Sequence, residues 1–224
     1  MSNIAFIPVR GGSKSIPLKN IKLLYGKPLV YWTVNAAQNS KVIDKVIVAT
    51  DHIEIKKTVL SFNFDKVEVY DRLEENAQDT SSTESVMLEY IERSNIKDND
   101  NFFLIQATSP LLVSQDIDNM YNKMLKENAD SALSCVLNKR FYWTRDGKPI
   151  NYNYMNRPRR QDFDGYMMEN GACYINSVAN IKKSKNRLYG KICVYEMPEY
   201  TATELDEEVD FYIIEKLMEK YIEK

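Results

Sequence analysis

The sequence predicts an α/β protein built on a doubly wound, mostly parallel sheet. Short apolar runs rich in β-branched residues recur up to Val136, and amphipathic stretches of helical period fill the gaps between them. Several runs are too continuously apolar to leave one face in water, so they need helices on both sides. Alternation at this spacing implies right-handed βαβ units, with ligands bound at the carboxyl ends of the strands.

Taken in order, strands are expected over residues 4–9, 46–49, 66–70, 102–106 and 131–136, and helices over 29–39, 52–62, 84–94 and 115–127. Asp51-His52-Ile53-Glu54 and Ser81-Ser82-Thr83-Glu84 read as capping boxes that start two of these helices. After Val136 the rhythm breaks. Residues 139–156 are rich in Tyr, Asn and Lys around Asp146-Gly147-Lys148-Pro149, which reads as a projecting hairpin whose aromatics form an interface. Strands over 171–175 and 192–196 and an amphipathic helix over 207–221 close the chain, with Phe211, Ile214, Leu217, Met218 and Tyr221 on one side of that helix. With no repeat and no linker-like boundary, residues 1–224 are expected to form a single domain with 139–156 as its appendage.

Composition narrows the function. A charged fraction of 28% beside a hydrophobic fraction of 44% excludes low-complexity disorder. Thirty basic against thirty-two acidic residues leave a net charge of −2 and no global field for nucleic acid, so any basic site is local. Cys135, Cys173 and Cys193 lack metal-ligand spacing, and His52 is the one histidine that could join them, so buried thiols are expected in a cytoplasmic protein. His52 itself reads as structural, and no stretch approaches the roughly 18 apolar residues a membrane helix needs.

Local charge is concentrated in three places. The first strand runs into Arg10-Gly11-Gly12-Ser13-Lys14-Ser15-Ile16-Pro17-Leu18-Lys19-Asn20. Its glycines permit close backbone approach, its N–H groups can form an anion nest, and Arg10, Lys14 and Lys19 suit a polyphosphate. The competing reading is an ordinary βα turn with surface lysines; neither the Walker spacing nor GxGxxG is present. Arg157, Arg159 and Arg160, followed by Gln161, place planar forks where a carboxylate or phosphate would relieve their repulsion, although solvated surface arginines would look the same. In an extended segment Glu204 and Asp206 project to one side and could hold Mg²⁺ together with phosphate oxygens, with Asp210 joining from the next helix. Alternatively Asp206 caps that helix, with Glu207 and Glu208 in its first turn. Gln106-Ala107-Thr108-Ser109-Pro110, Arg72 and the hydroxyls of Ser81, Ser82 and Thr83 follow other strands, where a ligand would lie.

These segments resemble the acylneuraminate cytidylyltransferases (CMP–sialic acid synthetases) and their bacterial relatives acting on other nonulosonic acids. The resemblance is carried, in order, by Arg10-Gly11-Gly12-Ser13-Lys14 with Ile16-Pro17-Leu18-Lys19-Asn20, Gln106-Ala107-Thr108-Ser109-Pro110, Arg157-Pro158-Arg159-Arg160-Gln161-Asp162 with Asp164-Gly165, Glu169-Asn170-Gly171, and Leu205-Asp206 with Asp210. It implies a Rossmann-like nucleotidyltransferase domain, homodimeric through a projecting segment, that uses CTP and Mg²⁺ to activate an acidic 2-keto-3-deoxy sugar. Arg10, Gly11, Gly12, Ser13, Lys14, Lys19 and Asn20 would hold the nucleotide, with Arg72, Ser82 and Thr83 nearby; Gln106, Arg157, Arg159, Arg160 and Gln161 would serve the acceptor. Arg159, Arg10 and Lys19 would meet the reacting phosphates, and Asp206, with Glu204, the metal. The chain departs from many relatives at Ser15, Leu112 and Glu204, the last keeping a carboxylate on a longer arm. A nucleotidyltransferase for a different nucleotide or a sugar phosphate, and a non-catalytic nucleotide- or RNA-binding module, are the alternatives.

Overall fold

Seven strands lie in one sheet in the order β5-β4-β1-β6-β8-β7-β9, in a computed structural model that describes residues 1–12, 16–78 and 81–221. The strands are β1 (Asn3–Pro8), β4 (Lys45–Thr50), β5 (Val67–Asp71), β6 (Asn101–Ile105), β7 (Ser131–Asn138), β8 (Tyr166–Ser177) and β9 (Ile192–Met197). A two-stranded ribbon, β2 (Leu23–Leu24) with β3 (Lys27–Pro28), stands apart from them. β1 pairs in parallel with β4 and β6, β4 with β5, and β7 with β9; β8 runs against both β6 and β7. The chain winds outward from β1 through β4 to β5 and then returns to β6 on the other side. The switch point between β1 and β6 is where such a sheet opens a crevice.

Helices cover both faces, as continuously apolar strands require. Val30 and Val34 of α1 (Leu29–Asn39), Ile55 and Val59 of α2 (Ile53–Leu60), and Ile117 and Met120 of α4 (Ser114–Lys126) pack with Ala5, Ile7, Phe103 and Ile105 on one face. Val86, Met87 and Tyr90 of α3 (Thr83–Arg93), with Val178 and Ile181 of α5 (Val178–Ser184), pack with Ile4, Phe6 and Leu104 on the other. The alternation along β1 and β6 is the period of two that sends successive side chains to opposite faces. A third apolar cluster joins Phe211, Ile214 and Met218 of α6 (Glu208–Tyr221) to Ile16, Leu24, Leu29, Leu111 and Leu205. It anchors the charged segments of the sequence through the apolar residues interleaved with them.

The expected helix over 29–39 forms at those bounds, while the two expected caps shift by one residue. His52, not Asp51, caps α2, its Nδ1 accepting from the Glu54 N–H at 3.2 Å, because the Asp51 carboxylate instead accepts from the Gly11 N–H at 2.9 Å. Ser82, not Ser81, caps α3, accepting from the Ser85 N–H at 3.1 Å. β8 begins five residues before the expected 171, because Gly171 marks an irregularity inside the strand and not its start. The pairing with β7 shifts between Leu133 and Cys135, opposite this point, and then resumes from Glu169 to Tyr166. Residues 139–156 do fold back as a hairpin, closed by bonds between Thr144 and Lys148 and between Ile150 and Tyr142, but with a single bridge, Trp143 to Pro149, in place of paired strands. Among the described residues no helix is long and apolar enough to cross a membrane.

Candidate active site

A cavity of about 340 Å³ opens at the carboxyl ends of β1 and β6, between them and the N-terminus of α3. It is lined by Pro8, Arg10, Gly12, Lys19, Asn20, Arg72, Ser81, Ser82, Thr83, Val86, Gln106, Ala107 and Thr108. Most of the residues expected to hold the nucleotide, and Gln106, therefore meet in one space. Ser13 and Lys14 lie outside the described residues. Gly12 faces open space, whereas Gly11 is explained by packing: a Cβ there would sit 2.6 Å from the His52 ring.

Lys19 ties this cavity to the acidic segment. Only 9% exposed, it donates from Nζ to the Leu205 carbonyl at 2.7 Å and to Asp206 Oδ1 at 3.3 Å. Asn20 donates to the Arg10 carbonyl at 3.1 Å and fixes the turn after β1. The Leu205 N–H donates to the Thr108 carbonyl at 2.9 Å, so three segments remote in sequence are joined by hydrogen bonds at one edge of the sheet. Asp210 has a capping role: its Oδ2 accepts from the N–H groups of Asp206 and Glu207 at 2.8 and 2.7 Å.

Arg72 is positioned from the opposite wall. Its guanidinium donates to the Asn76 carbonyl, while Nε is buried with no partner among the described residues. Burial lowers its pKa, opposed by Asp51 and Glu89 and reinforced by Arg10. An orphaned donor at a cationic cavity wall is what an anionic ligand would satisfy. Buried Glu89, which the sequence does not single out, shapes this wall by accepting from Tyr70 Oη, the Leu73 N–H and Asn76 Nδ2 at 2.7–2.8 Å.

Glu204 lies against Gly171, whose φ of +67° strains any side chain and whose notional Cβ would meet the carboxylate at 2.9 Å. Its pKa is raised, first by burial, then by Asp206 and Glu169, with Lys19 opposing. Carboxylate oxygens of this kind are donors that a divalent cation takes. No cluster of three or more metal-binding side chains forms among the described residues, so substrate oxygens and water would complete the shell, the usual arrangement for Mg²⁺. Asn170 holds the segment from below: it accepts from Ser134 Oγ at 2.7 Å and donates to Thr201 Oγ1 at 3.2 Å. The sequence shows Asn170 in a motif but not this bracing, which depends on partners in two other elements.

The arginine stretch does not line the cavity. Arg157 lies over the Phe141 ring, 4.7 Å from its centroid; Arg159 pairs with Asp162 at 2.6 Å and Arg160 with Glu199 at 3.0 Å. Gln161 is exposed in the same short 3₁₀ turn. All four sit in the excursion between β7 and β8, which leaves the same edge of the sheet as the cavity.

Comparison with known proteins adds three findings. A family model described as Cytidylyltransferase matches residues 4–221. The chain is 37% identical over 220 residues to an N-acylneuraminate cytidylyltransferase of Oncorhynchus mykiss (95% of this chain, 49% of that protein), and 27% identical over 225 residues to one of Streptococcus agalactiae serotype III (94% and 52%). It thus spans about half the length of the curated relatives it matches. Among solved structures, a CMP:2-keto-3-deoxy-manno-octonic acid synthetase complexed with CTP superposes with TM-score 0.70 at 17% identity (98% of this chain, 99% of that one), and a 4-diphosphocytidyl-2C-methyl-D-erythritol synthase with TM-score 0.71 at 13% (97% and 98%).

Proposed function

The chain belongs to the cytidylyltransferase family, and on that premise we propose that it joins CMP from CTP to an acidic 2-keto-3-deoxy sugar of the nonulosonic, sialic-type class, with release of pyrophosphate. The carrying observation is the hydrogen-bonded junction at Lys19, which joins a cationic cavity of nucleotide-accepting chemistry to a carboxylate segment suited to a metal. Relatives named for this activity support the acceptor class.

In this reading the anomeric hydroxyl of the sugar attacks the α-phosphorus of CTP in line, the new C–O–P linkage forms, the bond to pyrophosphate breaks, and the hydroxyl proton is released to solvent. No covalent enzyme intermediate is needed. Both reactants are anions, so the protein's main task is electrostatic. Arg10 and Lys19 hold the phosphates on the β1 side, Arg72 offers its unpaired Nε from the opposite wall, and Ser82 and Thr83 stand at the positive end of α3. Gln106 orients the acceptor. Mg²⁺ held by Asp206 and Glu204 would supply charge neutralisation at the triphosphate.

The arginines enter through a second copy of the chain in a homodimer. Tyr142, Trp143, Ile150, Tyr154 and Met155 are exposed along the excursion, an apolar surface that a neighbouring subunit would cover while receiving Arg159 near its reactants. The buried free thiols Cys135, Cys173 and Cys193 fit a reducing, cytoplasmic setting.

The test is pyrophosphate release from each nucleoside triphosphate against a panel of nonulosonic acids and sugar phosphates, alongside the molar mass in solution. Release with CTP and a nonulosonic acid, from a dimer, is expected. Release only with another nucleotide or a sugar phosphate would overturn the reaction, and a monomer at assay concentration would overturn the shared site.

A further inference from the structure

A line of charged and aromatic side chains crosses from α3 to β8 beside the cavity and takes no part in the chemistry above. Glu84, in the first turn of α3, accepts from Arg187 Nε at 2.6 Å, the two side chains being 23% and 21% exposed. The Arg187 guanidinium lies 4.9 Å from the centroid of the Tyr174 ring, and the Tyr174 hydroxyl donates to the Glu169 carboxylate. A guanidinium can stack and pair at once because its fork is planar. Burial favours the neutral forms, yet Glu84 is lowered by Arg187 and a backbone N–H, and Arg187 is raised by Glu84 and Tyr174.

The place of this line matters more than its strength. Tyr174 pairs with Leu104 of β6 and shares its face of the sheet. Gln106, two residues on, continues the same ladder through its N–H bond to the Ala172 carbonyl, so it follows Leu104 on that face. Gln106 and Val86 line the cavity, and Val86 packs in the same cluster as Tyr174. The line therefore borders the α3 wall of the cavity, where Ser82, Thr83 and Gln106 stand. The cap of α3 does not depend on it, since Ser82 is held by the Ser85 N–H.

We infer that Arg187 is a positioning residue that fixes the spacing between the first turn of α3 and β8, and so the stance of Ser82 and Thr83 on the nucleotide beside Gln106. The inference rests on the cytidylyltransferase reading. Replacing Arg187 by Leu keeps bulk but removes both the pair and the stack. It raises the CTP KM by about tenfold or more while kcat stays within about threefold. Arg187→Lys, which restores the charge but not the planar fork, recovers part of that loss, with a CTP KM between those of the native protein and Arg187→Leu. Glu84→Ala removes the same pair from the other end, gives the same split, and serves in place of Arg187→Leu if that variant does not fold. A CTP KM within twofold of native, or a kcat that falls as much as the CTP KM rises, overturns the assignment. If the native protein releases no pyrophosphate from CTP with any acceptor, the functional reading falls separately. Amide exchange over residues 83–86 then decides the structural claim: acceleration of about tenfold in Arg187→Leu supports it and unchanged exchange ends it.

Discussion

Lys19 and Arg159 carry the same charge at the working edge of one sheet and are held in opposite ways. Lys19 is buried and bonded to the Leu205 carbonyl and Asp206, segments nearly two hundred residues away in sequence. Arg159 is 74% exposed and pairs with Asp162, three residues away. The first geometry is set by the fold; the second is local and cheaply exchanged, since exposed ion pairs contribute about 0–1 kcal/mol. The cavity is preorganised, while the arginine excursion can surrender an internal partner to an anion brought by a ligand.

Removing the preorganised cation separates the two regions most sharply. Lys19→Ala takes away the charge proposed for the phosphates and leaves the Leu205 carbonyl without its donor, so kcat/KM should fall by about 100-fold or more, with a stability loss of about 1–3 kcal/mol. Steady-state rates and thermal denaturation of the same sample check both. Loss of activity without loss of stability would mean that the anchor to the acidic segment is incidental.

Arg159→Ala reverses that pattern. Turnover should fall by more than about tenfold while the unfolding temperature stays put, because only an exposed pair is lost. Near-native kcat in the folded variant would reject Arg159 as a reacting-site residue. Asp206→Asn probes the junction itself: the Mg²⁺ concentration giving half-maximal rate should rise by about tenfold, consistent with the loss of one carboxylate from a shell shared with substrate. An unchanged titration would remove Asp206 from the metal.

Much of this division is legible in the sequence. Continuous apolar strands and helical periods between them are local signals, and the doubly wound sheet and its carboxyl-edge crevice follow from them. The grouping of Arg10, Lys19, Asn20, Ser82, Thr83 and Gln106 in one cavity follows too, because each comes just after a strand or at a helix start on that edge. What escapes reading depends on partners distant in the chain. Asp51 gives up a cap to hold Gly11, and Glu89 shapes the Arg72 wall from inside α3. The extension of β8 through Gly171 is hidden for the same reason: a glycine ordinarily signals a break, and only the register against β7 shows the strand continuing.

That glycine gives the finest test of how tightly the preorganised side is built. Gly171→Ala puts a Cβ on a residue with φ of +67° and 2.9 Å from the Glu204 carboxylate. The left-handed conformation costs a non-glycine residue about 1–2 kcal/mol, which for a chain of this size lowers the unfolding temperature by roughly 2–8 °C. The Cβ also pushes against Glu204, the end of a flexible side chain, so the carboxylate can swing aside while the backbone stays in register. If Glu204 shares the metal with Asp206, the alanine variant should weaken the Mg²⁺ dependence by a few-fold, less than Asp206→Asn, and a double variant should add little to Asp206→Asn alone. Equal destabilisation with an unchanged Mg²⁺ titration would leave Asp206 as the ligand and assign Glu204 a purely electrostatic part.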